Sequence, residues 1–134
     1  MKGPTKHRPS GGGLNILLAE DHPVNRELVV TLLSQEGHRV ATAHNGAQAL
    51  GLATQQKFDL ILMDVQMPEL DGLEVTRLIR EGEKLAGQHV PIIALTARAM
   101  KGDRELCLAA GMDGYVSKPI RDQELFATIE ELVS

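Results

Sequence analysis

The stretch Phe58 to Gly72, FDLILMDVQMPELDG, constrains this chain more than any other. Leu60, Ile61, Leu62 and Met63 form an apolar run with no polar alternation. That pattern predicts a strand buried on both faces, as in a parallel sheet sandwiched between helices. The run ends on a carboxylate, Asp64, and is followed by Pro68 and Asp71-Gly72, residues that break strands and make turns. An acid therefore stands where a central strand gives way to a loop, and in open parallel sheets chemistry collects at the carboxyl ends of the strands. A lone aspartate in such a place is ordinarily a loop or helix cap. Asp64 gains weight because three other strands also end in chemically useful residues.

Residues 1 to 13, MKGPTKHRPSGGG, are basic and rich in Pro, Gly and Ser, which predicts a mobile linker or added leader. His7 and the triple glycine do not make a phosphate loop, because no strand precedes them and no Gly-Lys-Ser/Thr follows. Regular patterning begins at Leu14. The first strand, Leu14 to Ala19, ends in Glu20-Asp21, and Pro23 suits the first turn of the helix that follows. Its apolar positions include Leu28, Val29, Leu32 and Leu33, and Gly37 ends it. Arg39 to Ala43 is a more polar strand, suited to a sheet edge. Asn45 caps a helix reaching about Gln56, with Ala49, Leu50 and Ala53 inward.

The third strand is the opening stretch, and the helix after Asp71 carries Leu73, Leu78 and Ile79. Glu81 to His89 reads as a polar connection. Val90 to Leu95 is the fourth strand, ending in Thr96-Ala97, and its helix runs from about Met100 to Ala110 before Gly111. Tyr115-Val116 form a short fifth strand ending at Ser117-Lys118-Pro119. The last helix places Leu125, Ile129 and Leu132 on one face. Strict alternation of five strands and five helices predicts an α/β domain over residues 14 to 134. Right-handed crossovers make the five-stranded parallel order 2-1-3-4-5, with helices on both faces, the natural arrangement.

Composition removes several classes. A chain of 134 residues supports one core, and a net charge of −4 without a basic stripe does not suit a nucleic-acid surface. One cysteine, Cys107, excludes an internal disulfide and fits a reducing compartment; its place on an apolar helical face makes it a buried hydrophobe. With no signal peptide and no bilayer-length apolar run, the expected location is cytoplasmic.

Parallel, adjacent strands bring their end residues to one rim: Glu20-Asp21, Asp64, Thr96 and Lys118. Carboxylates gathered there repel, by about 4 kcal/mol for two charges ~4 Å apart at an effective dielectric near 20. A hard divalent cation relieves this, and Mg²⁺ favours oxygen ligands, waters and phosphate. Asp21 and Asp64 are the expected direct ligands, Glu20 acts through a water, and the Gln66 carbonyl adds an oxygen. No EF-hand-type loop supports calcium. For a phosphoryl group on Asp64, Lys118 neutralises one oxygen, the Thr96 hydroxyl donates to another, and the Ala97 N–H assists. Gln66 and Arg98 are expected at the mouth, where they would tune water access. A cis Lys118-Pro119 bond would aim the ammonium into the site, although X–Pro bonds are mostly trans.

Glu20-Asp21, Asp64 within MDVQMPELDG, Thr96-Ala97 and Lys118-Pro119 together resemble the receiver domain of two-component response regulators, a flavodoxin-like fold. The resemblance covers residues 14 to 134. It implies that Asp64 accepts a phosphoryl group from a phosphohistidine of a histidine kinase or histidine-containing phosphotransfer domain, with Mg²⁺, and later loses it by hydrolysis. It also implies a cis bond before Pro119 and a switch in which the Tyr115 ring moves inward as Thr96 moves toward the phosphate. The family often has Asp where Glu20 stands. The runs EDHPVNRELV and LMDVQMPELDGLEVTRLIR are most similar to receivers fused to hybrid sensor histidine kinases, which would make the leader an interdomain linker and would allow a membrane-anchored parent.

Three rivals fare worse. An FMN-binding flavodoxin needs a hydroxyl- and glycine-rich loop after the first strand and flanking aromatics, whereas this chain has Glu20-Asp21-His22-Pro23 there and no Trp. An aspartyl-phosphate phosphatase usually places a second Asp two residues after the nucleophile, where this chain has Gln66. A degenerate receiver acting only as a binding module would not need the intact Glu20-Asp21, Asp64, Thr96 and Lys118 set.

Overall fold

A computed structural model describes residues 13–67, 71–97 and 101–133. In chain order the elements are β1 (Asn15–Ala19), α1 (Pro23–Gln35), β2 (Arg39–Ala43), α2 (Gly46–Gln55) and β3 (Leu60–Asp64). They continue with α3 (Gly72–Ala86), β4 (Ile92–Thr96), α4 (Lys101–Ala110), β5 (Gly114–Ser117) and α5 (Asp122–Val133). The strands form one parallel sheet in the order β2-β1-β3-β4-β5, as the alternation predicts, with the polar β2 at an edge.

Side-chain alternation along the strands divides the core in two. Ile16, Leu18, Leu60, Leu62, Ile93, Leu95 and Val116 pack with Val29 and Leu33 of α1 and Leu125 and Ile129 of α5. Leu17, Ala19, Ile61, Met63, Ile92 and Ala94 pack on the other side with Ala49 of α2, Val75 and Ile79 of α3 and Cys107 of α4. All five residues of β3 are buried, which explains its unbroken apolar run. Each buried Leu, Ile or Met there contributes about 1.5–3 kcal/mol relative to exposure.

Local chemistry sets the boundaries. Asn45 accepts a hydrogen bond from the Gln48 N–H at 2.8 Å, and Asp71 accepts one from Glu74 N–H at 2.9 Å, so each caps its helix. The first difference from the sequence reading is α3, which continues through Glu81 to Ala86 where a polar connection is expected. Glu81, Glu83, Lys84, Leu85 and Ala86 are all good helix formers. The helix stops where Gly87 adopts a left-handed conformation, φ 68°, and returns its N–H to the Glu83 carbonyl. Second, β4 begins at Ile92 rather than Val90, because Pro91 has no N–H and Val90 N–H donates to the Glu83 side chain. Third, Leu28 is 41% exposed. The buried stripe of α1 runs through Val29 and Leu33, four residues apart, and leaves Leu28 outside it.

Gly13, read with the leader, is buried: a Cβ there would stand 2.4 Å from the Gly37 carbonyl oxygen. Residues 1–12, Pro68, Arg98 and Met100 lie outside the described residues. Among those that are described, no helix is long and apolar enough to cross a membrane.

One glycine connects fold to site. A Cβ on Gly72 would meet the Asp64 carbonyl oxygen at 2.2 Å and the Met63 Cγ at 2.9 Å. Gly72→Ala is therefore expected to lower stability by about 1–3 kcal/mol through overpacking. Urea unfolding checks this, and an unchanged midpoint would contradict the close approach.

Candidate functional site

The carboxyl ends of β1, β3, β4 and β5 converge on one rim. Asp64 ends β3 on the side of the sheet faced by α1 and α5, in register with Leu60 and Leu62. Glu20 and Lys118 continue the same alternation one residue beyond β1 and β5. Both acids are buried, Glu20 completely and Asp64 at 2% exposure. The Lys118 Nζ lies 3.1 Å from Glu20 Oε1 and 3.3 Å from Asp64 Oδ2, so the ammonium points into the site. Gln66 N–H donates to Asp64 Oδ1 at 3.1 Å, and His22 N–H donates to Glu20 Oε2 at 3.1 Å. Asp21 stands exposed at the opening, and oxygens of Glu20, Asp21 and Asp64 lie within 4.8 Å of one another.

Thr96 ends β4 on the opposite side of the sheet from Asp64, and is 6% exposed. With Asp21, Gln66 and Asp71 it lines a cleft of about 620 Å³ between the β3 and β4 loops and α4. Ala97 follows it and is exposed. The Thr96 carbonyl accepts the Lys118 N–H at 2.7 Å, which ties the two phosphate-binding candidates through the main chain. The Lys118–Pro119 bond is cis. Tyr115 is half-buried beside Ala94, on the Thr96 side of the sheet, with the Arg104 guanidinium 5.1 Å from its ring centroid.

The electrostatics are those of a site with more negative charge than its surroundings stabilise. Burial is the main force raising the Asp64 pKa, from 3.8 to about 7; the neighbouring Glu20 charge and a hydrogen bond with Glu20 add to it. Lys118 and the Gln66 N–H act in the opposite direction and do not overcome them. Glu20 Oε1 has no hydrogen bond among the described residues, its nearest positive charge being the Lys118 ammonium. An all-oxygen set, one of whose buried carboxylate oxygens accepts no hydrogen bond, fits a hard divalent cation.

The structure thus gathers Glu20, Asp21, Asp64, Gln66, Thr96, Ala97 and Lys118 at one rim, and sets Tyr115 two register pairs back from Thr96. Arg98, read as lining the mouth, lies outside the described residues. Sequence reasoning missed two contacts. It assigned Gln66 a carbonyl role and not the N–H that holds Asp64, and it passed over Arg26, which donates to the Glu20 carbonyl at 2.9 Å. Main-chain donors leave no mark in residue type, and an arginine one turn into a helix looks like a solvated charge.

Residues 16–130 match the family model of the response regulator receiver domain. The chain belongs to the response regulator receiver family. This receiver domain is 48% identical over 119 residues to hybrid signal transduction histidine kinase I of Dictyostelium discoideum, covering 85% of this chain but 7% of that protein. It is 40% identical over 116 residues to the polar-differentiation response regulator DivK of Brucella anthropi, covering 87% of this chain and 93% of DivK. Among solved structures, it superposes on the receiver domain of sensor histidine kinase PA1611 from Pseudomonas aeruginosa PAO1, which has a magnesium ion in its active-site cleft. That match has a TM-score of 0.83 at 46% identity, covering 91% of this chain and 98% of the other. The receiver domain of Saccharomyces cerevisiae Ssk1, solved with the histidine phosphotransfer protein Ypd1, matches with a TM-score of 0.85 at 30% identity, covering 90% and 88%. The protein is accordingly a receiver domain of two-component signalling.

The raised Asp64 pKa fixes the sign of a pH dependence. The folded domain keeps a proton that the unfolded chain releases, so this contribution to stability is complete below about pH 4 and is lost as pH rises through about 7. Without metal, the wild type should lose thermal stability relative to Asp64→Asn between pH 5 and pH 8. Parallel melting curves for the two proteins would show that Asp64 is already ionised in the fold.

Proposed function

We propose that Asp64 is the phosphoacceptor of a phosphorelay and that its modification switches the domain between two conformations. The observation that carries this is the Lys118 ammonium 3.3 Å from a buried Asp64 whose neighbours Glu20 and Asp21 complete an acidic cluster. The Asp64 carboxylate attacks the phosphorus of a phosphohistidine. A P–O bond forms as the P–N bond breaks, and the electron pair leaves with the imidazole, which takes up a proton. The Gln66 N–H holds the acceptor carboxylate in place. Lys118 then pairs with one phosphoryl oxygen, while the Thr96 hydroxyl and the Ala97 N–H donate to others. Asp21 and Asp64 would hold Mg²⁺ directly, with Glu20 through a water and the Gln66 carbonyl as a further oxygen. When bound, the cation offsets the charge of the acids and of the phosphoryl oxygens. Positioning and charge supply most of the acceleration in phosphoryl transfer, so the domain acts as a self-phosphorylating and self-resetting switch rather than a turnover enzyme.

In the readout, Thr96 moves toward the phosphoryl group and the Tyr115 ring moves inward. Their shared side of the sheet supports this coupling. The donor is a histidine kinase or a histidine-containing phosphotransfer domain, a reading supported by the likeness to Ssk1, solved with Ypd1. The resemblance to a hybrid kinase and to PA1611 favours residues 14–134 as the receiver of a cytoplasmic hybrid-kinase segment. The match spanning 93% of DivK favours the second reading, a stand-alone regulator.

Incubation with a small phosphoryl donor, read by intact mass, tests the proposal. One added phosphoryl group is expected with Mg²⁺, none without it and none in Asp64→Asn. Lys118→Ala should slow labelling by about a hundredfold, as removal of one charge-stabilising donor does elsewhere. Labelling of Asp64→Asn would refute the assignment.

A further inference from the structure

Arg26 stands in the first turns of α1, five residues beyond Asp21, and its side chain reaches back over the loop it follows. Its Nη1 donates to the Glu20 carbonyl oxygen at 2.9 Å and lies 3.4 Å from that of Asp21. One guanidinium therefore grips the main chain of both members of the acidic pair. The two acids differ in how much else holds them. Glu20 is anchored by its N–H to the Ala43 carbonyl, by His22 N–H on Oε2 and by the Lys118 ammonium. Asp21 is exposed, and among the described residues its carboxylate has neither hydrogen bond nor ion pair. Where the Asp21 carboxylate sits thus depends on its backbone, and Arg26 is the side chain that reaches that backbone.

We infer that Arg26 is a positioning residue for the cation site: it fixes the Glu20-Asp21 main chain so that Asp21 is presented beside Asp64 before a cation arrives. This rests on the Mg²⁺ reading given above. Both contacts are made by the one Nη1, whose two N–H bonds are fixed in the guanidinium plane, whereas a lysine carries its charge at the end of a flexible stem. Charge and positioning have opposite signs here. As a positive charge near a cation site, Arg26 opposes Mg²⁺ binding, so charge alone makes its removal tighten binding. As a positioning residue, its removal loosens binding, as loss of supporting contacts does at other metal sites by about 10–100-fold.

Isothermal titration of the full chain with Mg²⁺ decides between them, with wild type, Arg26→Gln and Arg26→Lys compared at neutral pH. The chain has no tryptophan to report binding by fluorescence. The expected result is a Kd raised about tenfold in Arg26→Gln and by a smaller factor in Arg26→Lys. The Mg²⁺ concentration giving half-maximal Asp64 labelling should rise in the same proportion, with the rate at saturating Mg²⁺ within about threefold of wild type. Metal-free unfolding of each variant checks the fold, and if Arg26→Gln does not fold, Arg26→Lys carries the comparison. A purely structural arginine would lower the unfolding temperature and leave both Mg²⁺ values unchanged, which overturns the inference. A Kd in Arg26→Gln equal to or tighter than wild type overturns it as well. If wild type takes up no Mg²⁺, this inference falls together with the proposed function; if wild type binds Mg²⁺ and is labelled while the variant matches it, only the role of Arg26 falls.

Discussion

The ammonium of Lys118, held between Glu20 and Asp64, is the contact on which the rest of the site depends. Two carboxylates buried at a sheet rim repel each other, and neither has bulk water to disperse its charge. Even with the ammonium between them the Asp64 carboxyl is pushed up to about 7, and without it the site would hold that proton more firmly still. The lysine reaches that position because β5 lies beyond β4 at the sheet edge, and because its N–H is tied to the Thr96 carbonyl. It arrives from nearly a hundred residues away along the chain, so the site exists only once the last strand has docked.

The two rims of the sheet are finished differently. At the amino ends of β4 and β5, Arg80 donates to the Gly111 carbonyl at 2.8 Å and to Asp113 Oδ2 at 2.7 Å, while Asp113 also accepts the Ile92 N–H. There each charge has its partner. At the carboxyl rim, Glu20 Oε1 lacks a hydrogen bond and the Asp64 carboxyl is pushed up to about 7. The unsatisfied rim is where an incoming cation or phosphoryl group finds something to neutralise, and the satisfied rim holds the strands in register while that happens.

Much of this was legible in the residues. The run Leu60–Met63 predicts a strand covered on both faces, and β3 is buried throughout. Asn45 and Gly111 mark helix ends where the structure has them. The misses have separate causes. The helix α3 runs on to Ala86 through good helix formers, β4 starts late because Pro91 lacks an N–H and the Val90 N–H turns to Glu83, and Leu28 falls beside the buried stripe of α1. A polar helical turn and a polar loop have the same composition, and an apolar residue beside a buried stripe looks like part of it.

Strand period, breaker residues and the order of elements were enough to specify five parallel strands and to put Glu20, Asp21, Asp64, Thr96 and Lys118 at their carboxyl ends, because these depend on local sequence alone. Three matters belong to the packed fold: the complete burial of Glu20, the donation of Gln66 N–H to Asp64, and the reach of Arg26 back to the acidic pair. They arise between groups whose distance is set by how the sheet twists and the loops close, and main-chain donors and acceptors are common to every residue type. Residue identity can therefore name the chemistry available at the rim, while only the assembled sheet determines how far each charge stands from the next.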